Sequence, residues 1–313
     1  MTIHTRLERD EIERLAAQYP VGELQDFEDL TGGQANSSFK LITSTGAYVL
    51  SICDEKTTGE AAHLARVLRH LEENGVATTR VVDSKDGRTV VKYHRKPVIL
   101  KHYLEGSPSR DLTAEMVRLV GRELARLHQV QSPPGLAPRF AYGLEAFDHV
   151  ILSGSDSNFQ DWLRKKKKYL TQAIRPDLPR CLIHGDVFYD NILFSGKEMV
   201  AIIDFEEACH YYRAFDLGMC AAGSCTTGGF LDFDKTRALV DGYLDIGNLT
   251  DQEKKSLQAF VIYGATATSF WRFRQYNILK PGHENSTAYR LMNRIADQVH
   301  DMPADDFFTT IFS

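Results

Sequence analysis

Residues 182–194 read Leu182-Ile183-His184-Gly185-Asp186-Val187-Phe188-Tyr189-Asp190-Asn191-Ile192-Leu193-Phe194. The chain continues as Ser195-Gly196-Lys197-Glu198-Met199-Val200-Ala201-Ile202-Ile203-Asp204-Phe205-Glu206. Two β-rich runs, Ile192 to Phe194 and Met199 to Ile203, flank a turn carrying Gly196, which predicts a hairpin. Folding that hairpin brings Asn191 and Asp204 together at the end opposite the turn. Asp186 lies five residues before Asn191, on the loop feeding the first strand. Three oxygen-bearing side chains therefore converge on one spot.

Hard oxygen donors of this kind suit Mg²⁺, which is usually held by one or two protein groups plus substrate phosphates. A carboxylate not used on the metal can take a hydroxyl proton. Phosphoryl transfer needs those parts, a metal to neutralise charge and a carboxylate to orient the attacking hydroxyl. The Asp-x-x-x-x-Asn spacing matches the kinase catalytic loop. One Asp on a loop is commonly a turn or a helix cap. Three oxygen donors at this spacing on a strand-flanked hairpin are a specific signal.

Working outward, apolar positions at helical spacing predict a short amphipathic helix over residues 6–19. Strand runs follow at Phe27 to Leu30, Phe39 to Thr43 and Tyr48 to Ile52, joined by turns at Thr31 to Ser38 and at Thr45-Gly46, which predicts an antiparallel meander. Glu60 to Asn74 carries a helical stripe, with Gly75 as its stop. Arg88 to Tyr93 and Val98 to Leu104 read as two more strands, and Glu105 to Ser109 break the pattern. Residues 1–104 thus predict a five-stranded antiparallel sheet with one main helix. Beyond the break, Met116 to Val130 is strongly amphipathic and the remainder reads as helix, apart from Cys181 to Phe205. The expected fold class is α+β, with a small antiparallel-β lobe over 1–104 and a larger, mainly helical lobe over 105–313.

His184-Gly185-Asp186-x-x-x-x-Asn191, followed by Ile203-Asp204-Phe205-Glu206, resembles the aminoglycoside phosphotransferase and choline kinase superfamily. The resemblance covers nearly the whole chain and implies a protein-kinase-like two-lobed fold with ATP held between the lobes. It implies Asp186 as catalytic base and Asn191 and Asp204 as Mg²⁺ ligands. Asp216, in Phe215-Asp216-Leu217-Gly218, matches a family acid that braces the catalytic loop, although the sequence alone equally allows a helix N-cap. His184 is expected to support the loop by hydrogen bonding and not to act as base. Gly32 and Gly33 match the phosphate-covering turn, and the backbone of Lys101 to Glu105, His102 and Leu104 in particular, is expected to meet adenine. Ser51 stands where the third strand normally supplies a Lys. Lys40 and Lys56 are candidates to replace it, and the sequence selects neither. A Walker A motif is absent.

Within that superfamily the chain resembles the phosphotransferase-type homoserine kinases, through Ser51, Ala208-Cys209 and the aromatic stretch Phe270-Trp271-Arg272-Phe273-Arg274. Ser269, where an Arg is expected, and Glu206, where an aromatic is frequent, depart from that pattern. An amino-acid acceptor needs a cation for its carboxylate, and Arg213, Arg272 and Arg274 are candidates. A choline-like acceptor needs an aromatic cage, for which Tyr211, Tyr212, Phe215, Trp271, Phe273 and Tyr276 are available. An aminoglycoside needs several acids, and Asp232, Asp234, Asp241 and Asp245 lie in suitable territory, although solvated helix faces explain them as well. The run Arg164-Lys165-Lys166-Lys167-Lys168 reads as a solvated helix face. The implied activity is ATP-dependent phosphorylation of a small hydroxyl-bearing substrate, homoserine first, with aminoglycoside or choline/ethanolamine as alternatives. A pseudokinase that binds nucleotide without turnover is the non-enzymatic alternative.

Composition bounds the partners. A formal net charge of -5 across 313 residues points away from nucleic acid and from anionic membrane surfaces. No run is long and apolar enough to span a bilayer, and the first ten residues carry no signal-peptide core, so a cytoplasmic protein is expected. Five scattered cysteines without a Cys-x-x-Cys pair predict reduced, mostly buried thiols in place of a zinc site or disulfide framework. A monomer or homodimer is expected.

Overall fold

Along Ser37–Thr43 every second residue is buried, and this alternation sets the two faces of the first sheet. The computed structural model describes residues 5–30 and 36–313. The chain divides into two compact units, Met1–Glu105 and Gly106–Ser313.

The first unit contains α1 (Arg9–Ala16), β1 (Leu24–Leu30), β2 (Ser37–Thr43), β3 (Gly46–Ile52), α2 (Thr58–Glu73), β4 (Val81–Val82), β5 (Val90–Tyr93) and β6 (Lys96–His102). Its sheet is antiparallel throughout, in the order β1-β2-β3-β6-β4, with β5 also pairing to β6. Phe39, Leu41, Leu50, Ile52, Val98 and Leu100 form one buried cluster with Ile12 and Leu15 of α1. Helix α2 starts at a capping box, in which Thr57 and Glu60 satisfy each other's backbone N–H, and Gly75 follows its end at φ +74°. The sheet has six strands where the sequence predicts five. Strand β4 is two residues long, too short for side-chain alternation to reveal it, and its pairing of Val81 with Lys101 and of Val82 with Leu100 defines it.

The second unit contains α3 (Ala114–Leu127), α4 (Asp148–Ile151), α5 (Ser157–Ala173), β7 (Arg180–Ile183), β8 (Ile192–Ser195), β9 (Glu198–Ile202), β10 (Cys209–Tyr212) and α6 (Arg213–Ser224). It continues with β11 (Thr226–Thr227), β12 (Phe230–Leu231), α7 (Phe233–Leu244), α8 (Asp251–Phe273), a π-helical segment Arg274–Leu279, α9 (Tyr289–Asp301) and α10 (Ala304–Phe312). Helix α8 is buried on nearly every side (Leu257, Phe260, Val261, Ile262 and Tyr263 among others), as a central core helix should be. Another helix pair in this unit approaches closely through glycines. A Cβ on Gly121 would run into the backbone at Leu239, and one on Gly242 into the backbone at Arg118, so α3 and α7 cross backbone to backbone.

The basic run on α5 departs from a purely solvated face. Lys166 is buried and pairs with Asp297 at 2.8 Å, because the helix turns this position toward α9. Lys167 pairs with Asp148, and Arg164 with Asp161. Within the predicted break, Ser107 exchanges two backbone hydrogen bonds with Phe194 of β8, at 2.9 and 3.0 Å. Among the described residues no helix is long and apolar enough to cross a membrane.

Candidate active site

Strands β8 and β9 pair antiparallel from Ile192↔Ile202 to Ser195↔Glu198, and Gly196 takes the turn at φ +60°. The ladder is extended by Ile203, whose N–H donates to the Asn191 carbonyl at 2.9 Å. Asn191 and Asp204 therefore stand at the open end of the hairpin, as their spacing predicts. Asp204 adopts a left-handed backbone (φ +68°, ψ +62°), a costly conformation for a residue with a Cβ and one that recurs at functional sites.

The loop that carries Asp186 is fixed by three neighbours. The amide nitrogen of Asn191 donates to the Asp186 carbonyl at 2.9 Å and to its carboxylate at 3.1 Å. The Asp186 N–H donates to Nδ1 of His184 at 3.1 Å, and Nε2 of the same ring donates to the Ile203 carbonyl at 2.8 Å. The buried imidazole thus ties the loop to the hairpin and uses both nitrogens to do so. Gly185, at φ +88°, fits where a Cβ would lie 2.8 Å from the Glu207 carbonyl oxygen, so both conformation and space call for glycine.

Beneath the loop lies Asp216. It is fully buried and is the fourth residue of α6, so it is a brace and not the N-cap that its sequence alone also allowed. Its carboxylate accepts the N–H groups of His184 and Gly185 at 2.7 and 2.8 Å. A third bond comes from Nε2 of His128 at 3.2 Å, and Nδ1 of His128 meets the Tyr243 hydroxyl at 3.0 Å. His128 and Tyr243 carry no motif, and only the crossing of α3 and α7 brings them here.

Burial, then the charges of Asp204 and Asp190, push the Asp186 carboxyl up to about 6, while His184 and the Asn191 amide act in the opposite direction. A carboxylate poised there is suited to exchanging protons near neutral pH. The donor set fits a magnesium ion. The Asn191 amide nitrogen is committed to Asp186, so its oxygen, with no partner among the described residues, is left to act as a hard donor beside the exposed Asp204. Among the described residues no group of three or more His, Cys, Asp or Glu side chains could hold a metal, so a site here would draw on phosphate oxygens as well.

The residues singled out by sequence for the nucleotide lie in the first unit. Ser51 is buried on β3, opposite Ser38, with their hydroxyl oxygens 3.1 Å apart. Lys40 shares that sheet face through its pairing with Val49. Its ammonium sits 3.0 Å from Glu28 and 4.5 Å from the Tyr103 ring centroid. His102 gives its N–H to Arg80 and Tyr103 gives its N–H to Ala47, which makes Leu104 the first residue after β6 with no backbone partner among the described residues. Gly32 and Gly33 lie outside the described residues.

An antiparallel sheet unit followed by a helical unit, with an acid-bearing loop feeding a hairpin, is the protein-kinase-like arrangement of small-molecule kinases. Residues 26–253 match the phosphotransferase enzyme family, and the chain belongs to that family. It is a phosphotransferase with an alcohol group as acceptor. It is 28% identical over 287 residues to a homoserine kinase of Rhizobium meliloti (strain 1021), an alignment covering 89% of this chain and 87% of that protein. Among solved structures, an amicoumacin kinase in complex with AMP-PNP, Ca²⁺ and Ami superposes with a TM-score of 0.73 at 15% identity, covering 96% of this chain and 97% of that one. A choline/ethanolamine kinase family protein from Mesorhizobium loti does so with a TM-score of 0.69 at 16% identity, covering 96% and 98%. At those identities the two structures speak for the fold alone.

Proposed function

We propose that this enzyme transfers the γ-phosphoryl group of ATP to the side-chain hydroxyl of homoserine. One observation carries the reading: the Asp186 carboxylate, raised toward neutrality, stands beside two hard oxygen donors, Asn191 and Asp204. In the transfer, an oxygen–phosphorus bond forms to the acceptor as the bond between the γ-phosphorus and the β,γ-bridging oxygen breaks. The hydroxyl proton passes to Asp186 and ADP leaves. Asn191 holds Asp186 in place and, with Asp204, would hold Mg²⁺, which neutralises charge on the transferring phosphate. His184 and Asp216 keep the loop rigid, so that the carboxylate is presented without reorganisation. For the nucleotide, the residues proposed from the sequence are Gly32, Gly33, Ser51, His102 and Leu104.

The choice of acceptor rests on the relatives named homoserine kinase and on what the competing sites lack. Asp245 is bound by Arg118 and Arg122 at 2.7 and 2.8 Å, and Asp232 caps α7, so two of the four acids an aminoglycoside would need are already used. Aromatics for a choline cage are packed on one another instead. Phe273 stacks on Phe159 at 4.0 Å, and Tyr211 and Phe215 pack against Tyr263.

The test is ADP release with Mg²⁺ and ATP across homoserine, choline, ethanolamine and several aminoglycosides. Turnover confined to homoserine is expected. Turnover on another alcohol only would replace the acceptor, and nucleotide binding without turnover on any acceptor would favour a pseudokinase.

A further inference from the structure

We propose that Arg272 anchors the carboxylate of the acceptor and thereby selects an alcohol that bears a carboxylate over those that lack one, an inference that rests on the kinase reading above.

Arg272 is the penultimate residue of α8, at the point where the helix passes into the π-helical segment Arg274–Leu279. Segments of that kind are frequent at functional sites. The guanidinium lies over the Phe188 ring, 5.8 Å from its centroid. Phe188 belongs to the candidate catalytic loop and donates its N–H to the Asp186 carbonyl at 3.0 Å. The ring is itself held from behind, because Gly223 of α6 leaves room for it where a Cβ would stand 2.5 Å from its carbons. A fixed ring thus places the Arg272 charge in constant relation to Asp186.

The guanidinium has donors to spare. It gives one bond, to the Ala288 carbonyl at 3.2 Å, out of five N–H groups, and no described carboxylate forms an ion pair with it. Burial lowers its pKa, which Asp190, Tyr189, Tyr276 and Asp186 oppose from a distance. Keeping a half-buried, unpaired guanidinium is costly, and a bidentate carboxylate is the partner its planar fork fits. The other two arginines do not compete. Arg213 spends two nitrogens on Glu253, at 2.6 and 2.7 Å, and Arg274 makes no hydrogen bond or ion pair among the described residues that would orient it.

The test compares Arg272→Gln and Arg272→Lys with the unaltered enzyme on two acceptors, homoserine and the amino alcohol that remains when its carboxylate is removed. For Arg272→Gln we expect KM for homoserine to rise about 10- to 100-fold, the range of a lost charged hydrogen-bond pair, with KM for ATP unchanged. The preference for homoserine over the amino alcohol should fall by the same factor, and Arg272→Lys should recover part of it. An equal loss on both acceptors, an unchanged homoserine KM, or a rise in KM for ATP alone would overturn the proposal, the last by making Arg272 a phosphate contact. Thermal melts check folding, and Arg272→Lys carries the comparison if Arg272→Gln does not fold. Should the enzyme prefer an acceptor without a carboxylate, this proposal falls while the kinase reading stands. Absence of turnover on every acceptor removes both.

Discussion

Asn191 binds Asp186 twice through one amide nitrogen, at the main-chain carbonyl and at the carboxylate. The same side chain therefore orients the proposed base and turns its oxygen outward as a proposed metal donor. Asn191→Ala should lower kcat about 10- to 100-fold and raise the Mg²⁺ concentration needed for half-maximal rate. Rates measured across a Mg²⁺ titration at saturating ATP check this, and an unchanged metal dependence would leave Asn191 with only the orienting role.

Asp216 is predicted to matter chiefly for stability. Asp216→Ala leaves the buried N–H groups of His184 and Gly185 without acceptors and strips His128 of its partner. Loss of about 3–5 kcal/mol is expected from urea unfolding. Asp232→Ala removes the N-cap of α7 and should cost about 1 kcal/mol. If the two variants lose equal stability, the bracing network is not what holds this loop.

Reading the sequence located the hairpin and its three oxygen side chains because turn chemistry and strand alternation are local signals, complete within residues 186–204. The first sheet was legible for the same reason, down to its strand order from β1 to β3. What escaped was set by distant packing. Strand β4 exists only through β6, and β10 joins β7 across an intervening hairpin, pairing Cys209 with Ile183. The charge run on α5 gave no sign that Lys166 faces inward, since α9 lies more than a hundred residues away. Asp216 could be a cap or a brace until its place in α6 was known. Three arginines were equivalent as strings of letters, and only Glu253 and Phe188 tell Arg213 from Arg272.

The glycines of the second unit test the packing directly. Gly121→Ala or Gly242→Ala puts a methyl group against facing backbone where α3 crosses α7. Each should cost about 1–3 kcal/mol, the range for overpacking a close contact, and should lower the thermal midpoint by several degrees. Gly75→Ala meets no atom, and its cost comes from its positive φ alone, so it should be the milder change in the same melts.

Acid stability has an identifiable contributor in Glu253. Burial pushes its carboxyl up, but the Arg213 guanidinium and the bonds from Thr250 outweigh burial and hold it below the ordinary 4.5. Because the folded value is the lower one, this group's stabilisation is fully present above the unfolded value. It is lost as pH falls through the folded one. Glu253→Gln should therefore flatten the dependence of unfolding free energy on pH below about 4.5, while lowering stability at neutral pH. Parallel slopes for the two proteins in acid would exclude Glu253 as a contributor.

The role of Asp186 as base toward homoserine is tested most directly by following formation of the homoserine phosphate ester with Asp186→Asn beside the unaltered enzyme, nucleotide binding being measured on both. We expect ester from the unaltered protein, a kcat about 10²- to 10⁴-fold lower in the variant, and nucleotide affinity little changed. Ester formation at an undiminished rate in Asp186→Asn would contradict the account.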